Sequence, residues 1–345
     1  VKVCGILLEL GGGMDIADLL ALSVSSGASD LHLSAGVAPM LRVDGEMQQC
    51  GLPVFGPDQV RGLIHSLMTD AQRSAFETGH EADFSCALAG LGRFRVNAFE
   101  QQRGAGAVLR SIAQRVPSLE SLGPGEVFRQ LCRLPHGLIL VTGATGSGKS
   151  TTLAAMIDHL NRSRQQHILT IEDPIEFIHQ PARCLINQRE VHRDTHSFSA
   201  ALRSALREDP DVIMLGEMRD LETIRLALTA AETGHLVLAT LHTSSAARTI
   251  DRMVDVFPAE EKAMVRSMLS ESLQAVISQT LVKKVGGGRV AAHEIMLATP
   301  AIRNLIRENK VAQMVSAIQT GGAVGMQTLE MSLGRLSEAR VIETL

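Results

Sequence analysis

The sequence predicts an α/β protein, in which a mainly parallel sheet flanked by helices follows a smaller α+β domain. Four short, almost wholly apolar runs, each followed by helix-like sequence, lie at residues 138–141, 168–171, 212–215 and 236–239. Strands buried on both faces have such runs, and their alternation with helices is typical of a parallel sheet. A glycine-rich loop at residues 143–150 directly follows the first run, as phosphate-binding loops do in this class of sheet.

The first hundred residues have a different pattern, which indicates an antiparallel sheet. Strand-like stretches at residues 30–33 and 41–43 are followed by the turn dipeptide Asp44-Gly45. Residues 92–99 alternate between apolar and polar side chains, so the arginines of this stretch share one face of a half-exposed strand. We therefore expect a separate α+β domain at the amino end of the chain.

Composition excludes several classes of protein. A length of 345 residues fits two domains, and a formal net charge of -4 gives no basic footprint for a nucleic-acid partner. The five cysteines lie far apart without a C-x-x-C pair, so we expect reduced thiols and no zinc site. Apolar stretches are all shorter than the roughly 18 residues of a membrane span. Residues 1–13 lack the basic start of a signal peptide.

The glycine-rich loop fits the phosphate-binding motif G-x-x-x-x-G-K-[ST]. Its residues are Gly143, Ala144, Thr145, Gly146, Ser147, Gly148, Lys149 and Ser150, with Thr151 next in the following helix. In such loops the glycines let backbone N–H groups approach phosphate oxygens, and the helix start adds positive charge. We expect Lys149 to reach the β- and γ-phosphates and Ser150 to bind Mg²⁺.

Acidic residues follow two of the apolar runs. Glu217 follows the run at residues 212–215, but Gly216 stands where an aspartate ligand is common. Glu172 and Asp173 follow another run and can supply the missing carboxylate. Our hypothesis is that Glu217 polarises the attacking water while Glu172, supported by Asp173, holds Mg²⁺. The alternative is that these acids are ordinary solvated residues at strand ends.

Histidines and arginines form a third group of candidates. His242 follows the fourth apolar run, where it could contact the γ-phosphate, whereas His235 precedes that run and has an equally plausible capping role. Arg203 and Arg207 have i,i+4 spacing on a predicted helix, and Arg219 lies just past Glu217. Arginines can stabilise a phosphoryl transition state, directly or from a neighbouring subunit, although a solvated helix face has the same appearance.

These strings together resemble the type II/IV secretion ATPases. The loop is joined by I-E-D-P-I-E at residues 171–176, G-E-M-R-D at residues 216–220 and T-L-H-T at residues 240–243. Within that family the chain is most similar to the type IV pilus retraction ATPases of twitching motility. The strings that carry this similarity are S-D-L-H-L-S at residues 29–34 and A-I-R-N-L-I-R-E at residues 301–308, the retraction motif.

The resemblance implies an Mg²⁺-dependent ATPase that acts as a hexameric ring. It implies a PAS-like domain at residues 14–112, a linker at 113–124 and a RecA-like ATPase domain with a helical carboxyl-terminal part at 125–345, with residues 1–13 outside it. It also implies a cytoplasmic location at the inner membrane, against the pilus platform protein. Carried over by position, Lys149, Ser150, Glu172, Asp173, Glu217, His235 and His242 form the active-site boxes, and Arg95 and Arg110 are candidates to reach the nucleotide.

Three alternatives remain open at this stage. An accessory retraction ATPase, a paralogue that depends on its partner, shares the same motifs. A regulator that binds ATP without hydrolysing it would retain the loop. A ring translocase on nucleic acid would share the fold but conflicts with the charge balance. The tetracysteine zinc element of extension ATPases is absent from the sequence, which favours retraction over extension.

Overall fold

The computed structural model describes residues 14–112, 116–123 and 125–343. The predicted extension at residues 1–13 lies outside these ranges, as do residues 113–115 and 124 of the predicted linker. The chain divides into two compact units between residues 114 and 115. Among the described residues, no helix has the length and apolar character needed to cross a membrane.

In its described residues, 14–112, the first unit contains a six-stranded antiparallel sheet and three helices. Its strands lie in the order β3-β2-β1-β6-β5-β4. The helices are α1 (Ile16–Ser25), α2 (Pro57–His65) and α3 (Asp70–Gly79), and the strands are β1 (Asp30–Ser34), β2 (Met40–Val43), β3 (Glu46–Gln49), β4 (Glu81–Leu88), β5 (Gly92–Gln101) and β6 (Gly104–Ile112).

Local sequence signals fix the ends of these elements. Asp15 caps α1 in a reciprocal pair with Asp18, so two free N–H groups of the first turn are satisfied. Asp44 and Gly45 both have positive φ, which is the backbone that a tight hairpin between β2 and β3 requires. The apolar face of the sheet packs under the helices around Leu31, and the antiparallel sheet predicted for this region is confirmed.

The second unit contains a seven-stranded sheet in the order β13-β12-β7-β11-β10-β8-β9, in which only the β12–β13 pair is antiparallel. Its strands are β7 (Gly137–Thr142), β8 (His167–Glu172), β9 (Leu185–Glu190), β10 (Val212–Leu215), β11 (Leu236–Leu241), β12 (Leu273–Lys283) and β13 (Arg289–Leu297). Its helices are α4 (Gly125–Cys132), α5 (Lys149–Ser163), α6 (Phe198–Ala205), α7 (Leu221–Glu232), α8 (Ala246–Asp255), α9 (Lys262–Ser272), α10 (Pro300–Arg307), α11 (Met314–Thr320) and α12 (Leu329–Glu338).

Helices cover both faces of this sheet. Helices α4 and α5 pack on one face, and α6 to α10 pack on the other. The four apolar runs are the strands β7, β8, β10 and β11, as predicted. Strand β7 lies between β11 and β12 and is parallel to both. The loop that follows β7 therefore lies at the carboxyl edge of the parallel strands, where open α/β sheets bind ligands.

The expectation of a helical carboxyl-terminal part in the second domain is wrong in part. Strands β12 and β13 form a long hairpin there, closed by three glycines at residues 286–288 that have positive φ. Helix α9 ends at Ser272 and β12 begins at Leu273, with no glycine or proline between them. The usual punctuation between a helix and a strand is therefore missing from the sequence.

Candidate active site

The phosphate loop joins β7 to α5, and its glycines are needed for different reasons. Gly143, Gly146 and Gly148 have φ of 144°, 78° and 89°, a region that glycine adopts easily. A Cβ on Gly143 would also lie 2.3 Å from the carbonyl oxygen of Gln279 and 2.5 Å from the hydroxyl of Ser147. Gly146 has open space around it, so only its backbone conformation selects glycine.

Lys149 is folded back onto the loop. Its Nζ donates to the carbonyl oxygens of Gly143 and Ala144, both at 3.0 Å. Burial lowers the pKa of the Lys149 ammonium, and the carboxylates of Glu176 and Glu217 act in the opposite direction. Phosphate oxygens are stronger, charge-assisted acceptors than these carbonyls, so the ammonium is placed to exchange the one for the other.

The loop also contains polar groups that are suited to a ligand. Within the described part of the chain, the hydroxyl oxygens of Thr142 and Ser147 are buried without a hydrogen-bond partner. Buried polar atoms are rarely left unpaired, and those that are call for a ligand, a water or a strained state. Ser150 and Thr151 lie half-buried in the first turn of α5, where a hydroxyl can approach a metal held by phosphate.

Glu217 and His242 lie together at the ends of β10 and β11. His242 Nε2 is 3.4 Å from Glu217 Oε2, and Arg219 Nε is 2.7 Å from Glu217 Oε1. The Met218 N–H donates to the Thr240 carbonyl at 3.1 Å, which fixes the segment around Glu217 on β11. The structure thus brings His242 of the T-L-H-T string together with Glu217 and Arg219 of the G-E-M-R-D string.

Gly216 stands in place of an acid because two strand ends approach closely here. Its N–H donates to the Ile171 carbonyl at 2.8 Å. A Cβ on Gly216 would lie 3.3 Å from that carbonyl oxygen and 3.3 Å from the Cα of Glu172. A side chain at this position would force β10 and β8 slightly apart, so the close contact favours glycine over an acid here. That Glu172 supplies the carboxylate instead stays a prediction.

Glu172 is buried at the end of β8. It accepts hydrogen bonds from Thr170 Oγ1 at 2.7 Å, Gln188 Nε2 at 3.3 Å and the Glu176 N–H at 3.4 Å. Burial raises the pKa of the Glu172 carboxyl to about 7, because desolvation outweighs these bonds. Asp173 is exposed beside it. Glu172 therefore lies at the edge where it was predicted to act, and is poised to gain or lose a proton near neutral pH.

The structure does not bring every predicted residue to this edge. His235 lies before β11, at the opposite edge of the sheet, where its Nδ1 contacts the Ala230 carbonyl at 2.9 Å at the end of α7. This position fits a capping role for His235 at the end of α7 better than a role at the phosphate loop of the same chain. Arg203 forms an ion pair with Glu222. Arg207 lies beyond the end of α6, so the predicted i,i+4 pair on one helix is wrong.

Arg95 and Arg110 belong to the first unit. They lie directly opposite each other in the register of β5 and β6. Arg95 pairs with Asp83 at 2.6 Å, and Arg110 pairs with Asp30 at 2.8 Å while its own side chain stays 61% exposed. Both therefore share one polar face of the sheet, and their role at the nucleotide stays a prediction.

The retraction motif forms α10. Thr299 caps this helix and Pro300 opens it, while Ile302 and Ile306 are buried on one side. Arg303 Nη1 donates to the carbonyls of Ser270 and Glu271 at the end of α9, at 2.6 and 2.7 Å.

One contact of the loop was missed from the sequence. Gln279 on β12 touches the phosphate loop through its amide and its backbone, but it belongs to no motif, and β12 was itself not predicted. Among the described residues, no group of three or more His, Cys, Asp or Glu side chains is placed to hold a metal.

Residues 15–288 match the family model of type II/IV secretion system proteins. The type IV pilus retraction ATPase PilT of Pseudomonas aeruginosa is 70% identical over 320 residues, which cover 93% of each chain. The type IV pilus ATPase PilU of the same species is 43% identical over 324 residues, which cover 94% of this chain and 85% of PilU.

The fold is also that of a solved motor. The crystal structure of the pilus retraction motor PilT with bound ADP matches with a TM-score of 0.88 at 48% identity, covering 96% of this chain and 95% of that one. An antiparallel sheet followed by a mainly parallel one is therefore shared between them. The resemblance seen in the motifs is confirmed, and the protein belongs to the type II/IV secretion system protein family.

Proposed function

We propose that this protein is an ATP-hydrolysing motor that drives type IV pilus retraction. One observation carries the proposal: the phosphate loop and the Glu217–His242 pair lie at one edge of the sheet, in a chain 70% identical to a pilus retraction ATPase over 93% of its length. The loop accounts for nucleotide binding, and the pair accounts for hydrolysis. The similarity to PilT points that hydrolysis at the pilus.

The residues of the site divide the reaction between them. Lys149 exchanges the carbonyls of Gly143 and Ala144 for phosphate oxygens when ATP enters. Glu217 orients and polarises the attacking water, and His242, at 3.4 Å, steadies its carboxylate. Arg219 reaches the same carboxylate and is available to turn to the phosphates. Positioning and electrostatic stabilisation are the main contributions of a protein to phosphoryl transfer.

The donor set fits Mg²⁺, which prefers oxygen ligands and keeps several waters. Ser150 would bind it directly, and Glu172 with Asp173 would hold its water shell. When bound, Mg²⁺ neutralises charge on the β- and γ-phosphates. A pKa of about 7 lets Glu172 become a carboxylate once a cation is near.

The assembly is proposed from the family. We expect a hexameric ring on the cytoplasmic face of the inner membrane, in contact with the pilus platform protein. Residues 14–112 would be a PAS-like domain, 113–124 the linker and 125–345 a RecA-like domain. Arg95 and Arg110 would reach the nucleotide. The exposed Arg203 and Arg207 and the half-buried His235 would act across subunits if they act on ATP. Sedimentation with and without ATP tests the ring.

Phosphate release measures the enzymatic part of the proposal. Glu217→Gln and Lys149→Ala should each lower kcat at least about a hundredfold, a loss that corresponds to roughly 3 kcal/mol of transition-state stabilisation. Glu338→Gln and Lys284→Ala change the same residue types at exposed positions and should keep full turnover. Undiminished hydrolysis by both site variants would refute the assignment. ATP binding without any turnover by the unaltered protein would support a non-hydrolysing regulator instead.

The accessory role is the second candidate. PilU matches this chain along 94% of its length, but at 43% identity against 70% for PilT, so the principal retraction ATPase is favoured. Pilus retraction in cells that contain this protein and no other retraction ATPase distinguishes the principal role from the accessory one. A principal motor retracts pili alone, whereas an accessory one does so only beside its paralogue.

A further inference from the structure

Gln279 of β12 forms a hydrogen bond to the phosphate loop from the strand next to β7. Its side chain is 3% exposed, and both ends of its amide are bonded. Nε2 donates to the Ser147 carbonyl at 2.6 Å, and Oε1 accepts from Thr152 Oγ1 at 2.7 Å. A carbonyl oxygen can only accept, so the end that faces Ser147 has to be the NH₂ group.

The loop is shaped to fit this residue. Strand β12 runs parallel to β7, with Ser278 opposite Thr142, so Gln279 lies level with the point where β7 becomes the loop. A Cβ on Gly143 would lie 2.3 Å from the Gln279 carbonyl oxygen, and a Cβ on Gly148 would lie 2.7 Å from Gln279 Nε2. Two glycines of the motif are thus required partly because Gln279 occupies the space beside them.

The bond to Ser147 has a consequence for phosphate binding. The Ser147 carbonyl and the Gly148 N–H belong to one planar trans peptide, so they point in opposite directions. Holding that carbonyl towards Gln279 turns the Gly148 N–H to the other side. Phosphate loops bind their ligand with backbone N–H groups whose directions have to be fixed beforehand.

We propose that Gln279 is a positioning residue of the nucleotide site, acting on phosphate through the Ser147–Gly148 peptide. This inference rests on the nucleotide binding of the proposed function. It assigns part of the site to the carboxyl-terminal hairpin, outside the recognised motifs. Thr152 orients the Gln279 amide from its other end.

The test is the affinity for a fluorescent ATP analogue, measured by titration of the full-length protein with Mg²⁺. Gln279→Glu keeps the shape of the side chain but sets a carboxylate against the Ser147 carbonyl. It should weaken binding about tenfold or more, the usual effect of losing a buried donor. KM for ATP should rise similarly, while kcat at saturation changes less. Gln279→Met, which keeps the length without the amide, gives the same test if the Glu variant does not fold.

Gln327 provides a matched control. It is buried in the same unit, and its amide also bonds at both ends, to the His293 carbonyl at 2.8 Å and to Arg335 Nη1 at 2.9 Å. Gln327→Leu should lower thermal stability and leave the affinity unchanged. Thr152→Val should weaken binding less than Gln279→Glu, because the Ser147 bond remains.

Two results would overturn the inference. One is a folded Gln279 variant that binds the analogue within twofold of the unaltered protein. The other is an equal loss of affinity in Gln327→Leu, which would mean that general destabilisation explains the effect. Turnover is measured on the same samples. Normal binding with no hydrolysis by the unaltered protein would refute the proposed function and leave the Gln279 comparison valid.

Discussion

At the scale of single residues, Gly216 shows why a motif can depart from its usual form. Its N–H bonds to the Ile171 carbonyl, and a Cβ would meet Glu172 and Ile171 at 3.3 Å. Our prediction that Glu172 of the neighbouring strand supplies the missing acid is consistent with this contact. The sequence showed the gap and a second acidic cluster, whereas the contact that explains both is visible only in the fold.

Gly216→Ala should therefore be costly. We expect a loss of about 1 to 3 kcal/mol in the free energy of unfolding, as for other overpacked sites, together with reduced hydrolysis. Urea denaturation measures the first effect. Gly334→Ala, at a position in α12 with open space for a Cβ, should be neutral or stabilising by up to about 1 kcal/mol. Equal stabilities for the two variants would contradict this reading of Gly216.

Glu172 makes stability depend on pH. Its folded pKa of about 7 lies above the ordinary value of 4.5, so the folded protein holds a proton that the unfolded chain releases. The contribution of this proton to the free energy of unfolding is fully present below pH 4.5 and is lost as the pH rises through about 7. The total loss is on the order of 3 kcal/mol. The free energy of unfolding of Glu172→Gln, relative to that of the unaltered protein, should therefore increase between pH 5 and pH 8. A difference in unfolding free energy that stays constant across this range would contradict the assignment.

At the scale of elements, the strands of the parallel sheet that could be predicted are those whose sequence is apolar almost throughout. Strands β7, β8, β10 and β11 are buried on both faces and contain apolar residues almost throughout. Strand β9 was missed because it lies at the sheet edge and contains Asn187, Gln188 and Arg189. Strands β12 and β13 were missed because α9 passes into β12 without a break.

The residues of the site also divide into those that the local sequence predicts and those that it does not. The phosphate loop is a local chemical pattern, so its residues could be named from the sequence. Glu217 and His242 could be paired because parallel strands end at one edge. Gln279 could not, since its contact with Ser147 spans 132 residues of sequence and depends on a strand order with no local signal. His235 was misleading because it lies five residues before the start of the T-L-H-T string but at the opposite end of the strand.

Arg303 fixes the retraction helix to the rest of the unit. It donates to the last carbonyls of α9 and, through Nη2, to Gln274 Oε1 at 3.2 Å, at the start of β12. Arg303→Ala should lower the free energy of unfolding by about 1 to 3 kcal/mol, because these acceptors lose a charged donor. Arg307→Ala, which removes an exposed arginine of the same helix, should change it by less than about 0.5 kcal/mol. ATP affinity should be unchanged in both, and equal stability losses would contradict the anchoring role.

At the scale of the whole molecule, β12 links the two features that define the function. Gln274 at its start contacts Arg303 of the retraction helix, and Gln279, five positions on, holds the phosphate loop. The retraction motif is thus connected to the nucleotide site through one strand, although about 150 residues separate them in sequence.

Twitching motility tests the central claim most directly. The protein is expressed in Pseudomonas aeruginosa that lacks its own PilT, to which this chain is 70% identical, and the twitching zone is measured. The account predicts that the unaltered protein restores twitching and that Glu217→Gln, made to the same level, restores none. Restored twitching by Glu217→Gln, or none by an unaltered protein that hydrolyses ATP in the same cells' extract, would contradict it.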